Sequence, residues 1–343
     1  MRRLGKAGEA RVTSSTRRDY RLDNLRCILI FLVVFSHLLV ETKTRGPATR
    51  VLYQVINLFH MPGFVLLTGY FARFRPKRMF TGLVVPYVVF QVLASVRKNI
   101  VAGRVWSAGL TLLYPQWTLW YLTACVMWYC TVPLLERVVS GRAQLAVVVG
   151  SLVVSIAAGL APWLGEFLDL ARVVVFYPFF CGGYYMGRRG FSRKIDALDQ
   201  RRLRTVQVGS TVVLVVAMTL HYAHGACPVW VLRRDTPYAN GWECEARIIM
   251  QLAAVAWCLW LLVIVTNAKR GIASEVGRNT LSVYLLHTWV IRALRHTLPL
   301  PGGELMGIML CAAIAAGTLV ALGNDRVARA FRYVFACGWL KQS

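Results

Sequence analysis

The chain has 343 residues, 57% hydrophobic and only 16% charged, with a formal net charge of +25 and a mean hydropathy of +0.52. This balance excludes a soluble globular protein, because most of the length falls in apolar runs of membrane-spanning size. The excess of Lys and Arg is gathered in alternate loops, which points to membrane orientation and anionic lipids as partners, with no nucleic acid.

Residues 1–24 carry Arg2, Arg3, Lys6, Arg11, Arg17, Arg18 and Arg21 with no apolar run before Leu25. They read as a disordered basic cytoplasmic tail, neither a cleavable signal nor a folded domain. Ten apolar runs follow, at 25–40, 51–72, 79–96, 117–136, 144–163, 170–187, 205–222, 247–266, 279–298 and 304–323. Backbone groups in lipid must be bonded within their own segment, and the runs lack the two-residue alternation of a barrel. The expectation is an all-α polytopic membrane protein with ten transmembrane helices in one domain, 25–323. The last stretch, 324–343, reads as an amphipathic cytoplasmic tail with Phe331, Val334 and Phe335 toward lipid. The tail, 73–78, 188–204, 267–278 and the C-terminal stretch are basic, so both termini are expected in the cytoplasm.

The first run, RCILIFLVVFSH at 26–37, is bracketed by Arg26 and His37. At 3.6 residues per turn the two share one helix face, separated by roughly 16 Å. Ionisable groups at membrane depth cost about 2.5–3.5 kcal/mol on insertion scales and usually face a cavity or a partner. Arg26 equally suits a snorkelling anchor, and His37 a satisfied interfacial histidine.

In the second run His60 precedes Met61-Pro62-Gly63, a combination that weakens the helix beside an imidazole and suits either a cavity wall or a packing interface. The turn after it holds Arg73, Arg75, Lys77 and Arg78, whose forks suit phosphate as well as a positive-inside loop. Trp117, Trp120 and Tyr121 open the fourth run, as an aromatic belt or a platform for a sugar ring. The loop 223–246 holds Cys227 and Cys244, which would pair in an oxidising compartment. No His/Cys cluster suggests a metal, and His221, His224 and His296 carry no weight. In the ninth run His287 suits core packing, a cavity hydrogen bond or catalysis.

Arg26 and His37 within RLDNLRCILIFLVVFSH, the span FHMPGFVLLTGYF, Arg75-x-x-Arg78, WTLWYL at 117–122 and TLSVYLLH at 280–287 together resemble the acyltransferase 3 family of integral membrane enzymes. The FHMP form is similar to the fucose 4-O-acetylase-like branch. The resemblance implies transfer of an acetyl or other short acyl group from acyl-CoA, a co-substrate and not a bound cofactor, to a hydroxyl of a glycan, glycolipid or related acceptor. It implies His37 as the catalytic histidine, Arg26 as its partner, and Arg75 and Arg78 as donor-binding residues, in a bacterial inner or plasma membrane. It marks His287 without a role. The chain departs from the family pattern at Thr68-Gly69, where Ser-Gly is common, and at WYC 128–130, which lacks an arginine. A transporter or flippase of a lipid-linked or acyl-bearing molecule is the alternative from another class.

Overall fold

The computed structural model describes residues 18–41, 46–103, 111–165, 167–223, 237–238, 242–294 and 303–335. They form a helical bundle: α1 (Tyr20–Glu41), α2 (Pro47–Tyr70), α3 (Pro76–Met79), α4 (Val85–Val101), α5 (Trp120–Glu136), α6 (Gly141–Ala157), α7 (Leu170–Arg188), α8 (Phe191–Asp196), α9 (Gln200–Ala223), α10 (Trp242–Ile264), α11 (Ile272–Arg278), α12 (Thr280–Leu294), α13 (Glu304–Leu322) and α14 (Asp325–Phe335). Between α3 and α4 the chain widens into a π-helical turn, Phe80–Val84.

Among the described residues nine helical stretches are long and apolar enough to cross a membrane. The exception among the ten expected spans is 279–298. Its described helix, α12, has 15 residues, short of the roughly 20 that a bilayer requires. Residues 295–298 of that expected span lie outside the described residues. The tail boundary also moves: α1 begins at Tyr20, so Arg21 and Leu22, expected in a disordered tail, are buried in its first turns.

Helix α1 lies at the centre and contributes to both large apolar clusters, one shared with α2, α5, α7 and α10, the other with α4, α12 and α13. Helix α9 is the least buried of the long helices, leaving its valine-rich face for lipid. Small residues set the closest crossing: a Cβ on Gly69 would overlap the Phe180 carbonyl, and one on Gly183 the Leu66 carbonyl, so α2 and α7 approach at backbone distance. Gly183→Val is therefore expected to destabilise the bundle by roughly 1–3 kcal/mol through overpacking, seen as an earlier unfolding transition in detergent. A wild-type transition would rule out that crossing.

Polar side chains tie the helix ends. Arg21 pairs with Asp196 at the end of α8 and donates to the Leu262 carbonyl of α10; Asn24 reaches the Ala268 carbonyl and Ser274. These bonds gather 18–24, 188–199 and 264–279 at one basic end. The loop before α5 is laid on α4 by Gln91, which bonds the Tyr114 carbonyl at 2.8 Å and the Gln116 amide at 2.9 Å. At the basic end α14 turns its aromatic stripe inward: Phe331 stacks on Phe90 of α4, and Phe335 lies tilted against the same ring at 6.0 Å. That corrects the expectation that both face lipid. Core packing against an aromatic neighbour uses the same amphipathic pattern as a bilayer surface. Of the expected Cys227–Cys244 pair, Cys244 is half-buried in the first turn of α10, whereas Cys227, with His224 and His296, lies outside the described residues.

Candidate active site

Residues Arg26, Ile30, Val33, His37 and Val40 follow one another at alternating four- and three-residue steps, so they form one stripe along α1. The stripe lines two cavities. The proximal one, about 200 Å³, is bounded by Arg26, Ile30, Thr68, Tyr121 and Arg278. The distal one, about 410 Å³, is bounded by His37, His60, Trp117, Trp120, Asp169 and Arg172. Val33, Met61 and Tyr284 line both and form the partition between them.

A third space, a vestibule of about 370 Å³ at the basic end, is lined by Phe71, Arg73, Arg75, Arg78, Gly82 and Tyr129. Gly82 belongs to the π turn, a local widening that frequently marks functional sites. Phe71 also carries the Arg26 guanidinium on its ring face at 4.0 Å. Arg26 thus stands between the vestibule and the proximal cavity. It is half-buried and has no ion pair among the described residues. A guanidinium in that setting, donating from a rigid fork, has the chemistry to receive an anion.

His37 sits against two rings. Trp117 meets it edge-on at 5.0 Å, and His287 stacks at 5.5 Å. Each neighbour is itself held. The Arg292 guanidinium lies 4.7 Å from the Trp117 ring, and Trp117 takes a φ of 49°, a left-handed conformation that a bulky residue rarely adopts. His287 is fully buried, and its Nδ1–H donates to the Tyr284 carbonyl at 2.7 Å and the Val283 carbonyl at 3.1 Å. Carbonyls only accept, so the proton is on Nδ1; Nε2 is buried and has no hydrogen-bond partner among the described residues. His60 follows the same rule: its Nδ1–H donates to the Ile56 carbonyl at 2.7 Å and its ring edges the distal cavity. Helix α2 passes through Pro62 and Gly63 unbroken, and Gly63 receives the Leu29 side chain of α1.

The aromatic residues point inward. Trp120 is buried, stacked on Phe176 at 5.4 Å, and Tyr121 hydrogen-bonds Thr68, which also donates to the Phe64 carbonyl at 2.9 Å. Their packing corrects the lipid-belt alternative for Trp120 and Tyr121, because rings buried among helices cannot lie at the headgroup boundary.

The structure brings His37, His60, His287, Trp117 and Trp120 to one place, with Arg26 and Tyr121 beyond the partition and Arg75 and Arg78 in the vestibule. It adds groups that the sequence did not single out. Asp169 and Arg172 form an ion pair of 3.1 Å at the distal cavity, where Arg172 also lies 5.4 Å from the Trp120 ring. A carboxylate and an arginine three residues apart at the start of an apolar run were the available signal. Arg278 was one basic loop residue among several, with nothing in its neighbourhood to separate it.

Chemically, a guanidinium able to receive an anion stands before an inner chamber, and beyond that lies an imidazole in a chamber with polar and aromatic walls. The acyltransferase 3 family model, described as an acyltransferase domain, matches residues 19–323, and the chain belongs to that family. It is an all-α integral membrane protein of the acyltransferase class. No curated protein and no solved structure matches it.

Proposed function

We propose that the protein transfers an acetyl or other short acyl group from acyl-CoA to a hydroxyl of a glycan, glycolipid or related acceptor, as a membrane-bound O-acyltransferase of the fucose 4-O-acetylase-like branch. The observation that carries this reading is the pair of cavities along α1, from Arg26 to His37, with the vestibule of Arg75 and Arg78 adjoining them at Phe71, on whose ring Arg26 rests. A donor charged at one end and reactive at the other needs that order of groups.

Arg75 and Arg78 engage the CoA phosphates in the vestibule, and the flexible pantetheine arm passes Arg26 into the proximal cavity. Its thioester then meets His37 near the partition. The acceptor occupies the distal cavity, with Trp117 and Trp120 available to a sugar face and Asp169 and Arg172 to its hydroxyls. His37 removes the hydroxyl proton as the oxygen attacks the thioester carbonyl. The C–S bond breaks, the acyl group stays on the acceptor oxygen, and the CoA thiolate takes the proton back from His37. His287, with Nδ1–H tied to backbone, keeps the His37 ring oriented. By the positive-inside bias the basic end, and with it both termini, faces the cytoplasm of a bacterial inner or plasma membrane.

The test uses purified protein in sealed vesicles with acetyl-CoA labelled on the acetyl carbon and a panel of glycan and glycolipid alcohols. Label is expected to leave CoA and enter an acceptor ester. Acceptor flux across the vesicle wall that persists without CoA, with no ester formed, would make the protein a transporter.

A further inference from the structure

We infer that Arg278 is a further donor-binding residue, and that the Asp325 carboxylate competes with a donor phosphate for it. This rests on the reading that the donor is acyl-CoA.

Arg278 closes α11, while Arg26 lies on α1, yet both line the proximal cavity. The placement is held by backbone contact: Gly277 abuts the Asp23 carbonyl so closely that a Cβ there would overlap it. Among the described residues, those lining that cavity include two arginines and no Asp or Glu. Two positive groups converging on a chamber whose described lining holds no counter-charge fit an anion brought in from outside.

Arg278 has a partner, but one outside the cavity lining. Its Nη2 lies 3.1 Å from Asp325 at the start of α14, and the two side chains are 37% and 46% exposed. Exposed pairs of this kind contribute little and are screened by salt. A phosphate, with more charge and a geometry that accepts two parallel N–H bonds, is the stronger partner for a guanidinium.

Asp325 does not depend on Arg278 to stay in place. It accepts a hydrogen bond from Asn279 Nδ2 at 2.8 Å, and its own amide donates to Glu275 Oε1 at 2.7 Å. The Asn279 bond, then the nearby Arg278, holds its carboxyl below the usual range, so it is a carboxylate at neutral pH. Helix α14 keeps its aromatic anchor on Phe90 as well. Arg278 is therefore free to exchange Asp325 for phosphate without undocking α14.

The two partners predict opposite effects, which a purely structural ion pair does not. Arg278→Ala is expected to raise the KM for acetyl-CoA roughly tenfold or more, the loss typical of a charge-assisted hydrogen bond. Asp325→Asn keeps an oxygen acceptor for Asn279 but removes the competing charge. It is expected to lower that KM about two- to fivefold, an effect that shrinks as salt is raised. A shift of both variants in the same direction, or a KM for either variant indistinguishable from wild type, overturns the inference while wild-type transfer still stands. Should Arg278→Ala fail to fold, the sign of the Asp325→Asn change alone decides. Wild-type protein that transfers nothing from acetyl-CoA overturns both this inference and the proposed function.

Discussion

Replacing His37 with alanine is expected to lower the turnover of acetyl transfer by roughly 10²–10⁴, the range for loss of a positioned general base, with little change in the KM for acetyl-CoA. The split follows from position. His37 lines the distal cavity, on the far side of Val33, Met61 and Tyr284 from Arg26, so its loss removes proton transfer without touching the groups assigned to the donor's phosphates. Initial rates at saturating acetyl-CoA check the first part, and a donor titration checks the second. The fold should survive, because His37 is only half-buried and forms part of a cavity wall, where truncation enlarges an existing space. Wild-type turnover in this variant would remove His37 from the chemistry and leave the distal cavity as a binding chamber.

Arg26→Ala is expected to act at the other end, raising the KM for acetyl-CoA roughly 10- to 100-fold, the equivalent of about 1.5–3 kcal/mol for a hydrogen bond to a charged group. Its guanidinium rests on Phe71, a residue of the vestibule wall, and the same residue lines the proximal cavity, so in the proposed path the donor passes it. Arg26→Lys should recover only part of the loss: an ammonium keeps the charge but lacks the planar fork and stacks less well on the ring. Steady-state kinetics with both variants test this. Equal KM values for Arg26→Ala and wild type would reduce Arg26 to an orientation anchor and move donor recognition wholly into the vestibule.

Much of this site was legible from local spacing. The interval between Arg26 and His37 places them on one face of any α-helix, and the structure puts a cavity at each end of that stripe. His60 beside Met61-Pro62-Gly63 read as a cavity wall or a packing interface, and both descriptions apply, since His60 edges the distal cavity while Gly63 receives Leu29. Trp120 and Tyr121 were harder. Hydropathy places an aromatic residue at the end of an apolar run but not on a side of the helix, and here the sides facing Phe176 and Thr68 decide. The fate of Phe331 and Phe335 was ambiguous for the same reason, as an amphipathic stripe answers equally to lipid and to a neighbouring aromatic ring.

What the sequence by itself determined is the class: an apolar helical chain, basic in alternate loops, with short motifs in the order of one enzyme family and a stripe on its first helix. These properties depend on composition and on contacts within a few turns, which the helix period alone dictates. The tertiary structure alone decided that His287 lies on His37, that Asp169 and Arg172 border the same chamber, and that Arg278 joins Arg26. Such contacts join residues far apart in the chain, through crossings that Gly69, Gly183 and Gly277 allow to close. Which distant faces meet is set by the packing of all the helices together, and no local period encodes it.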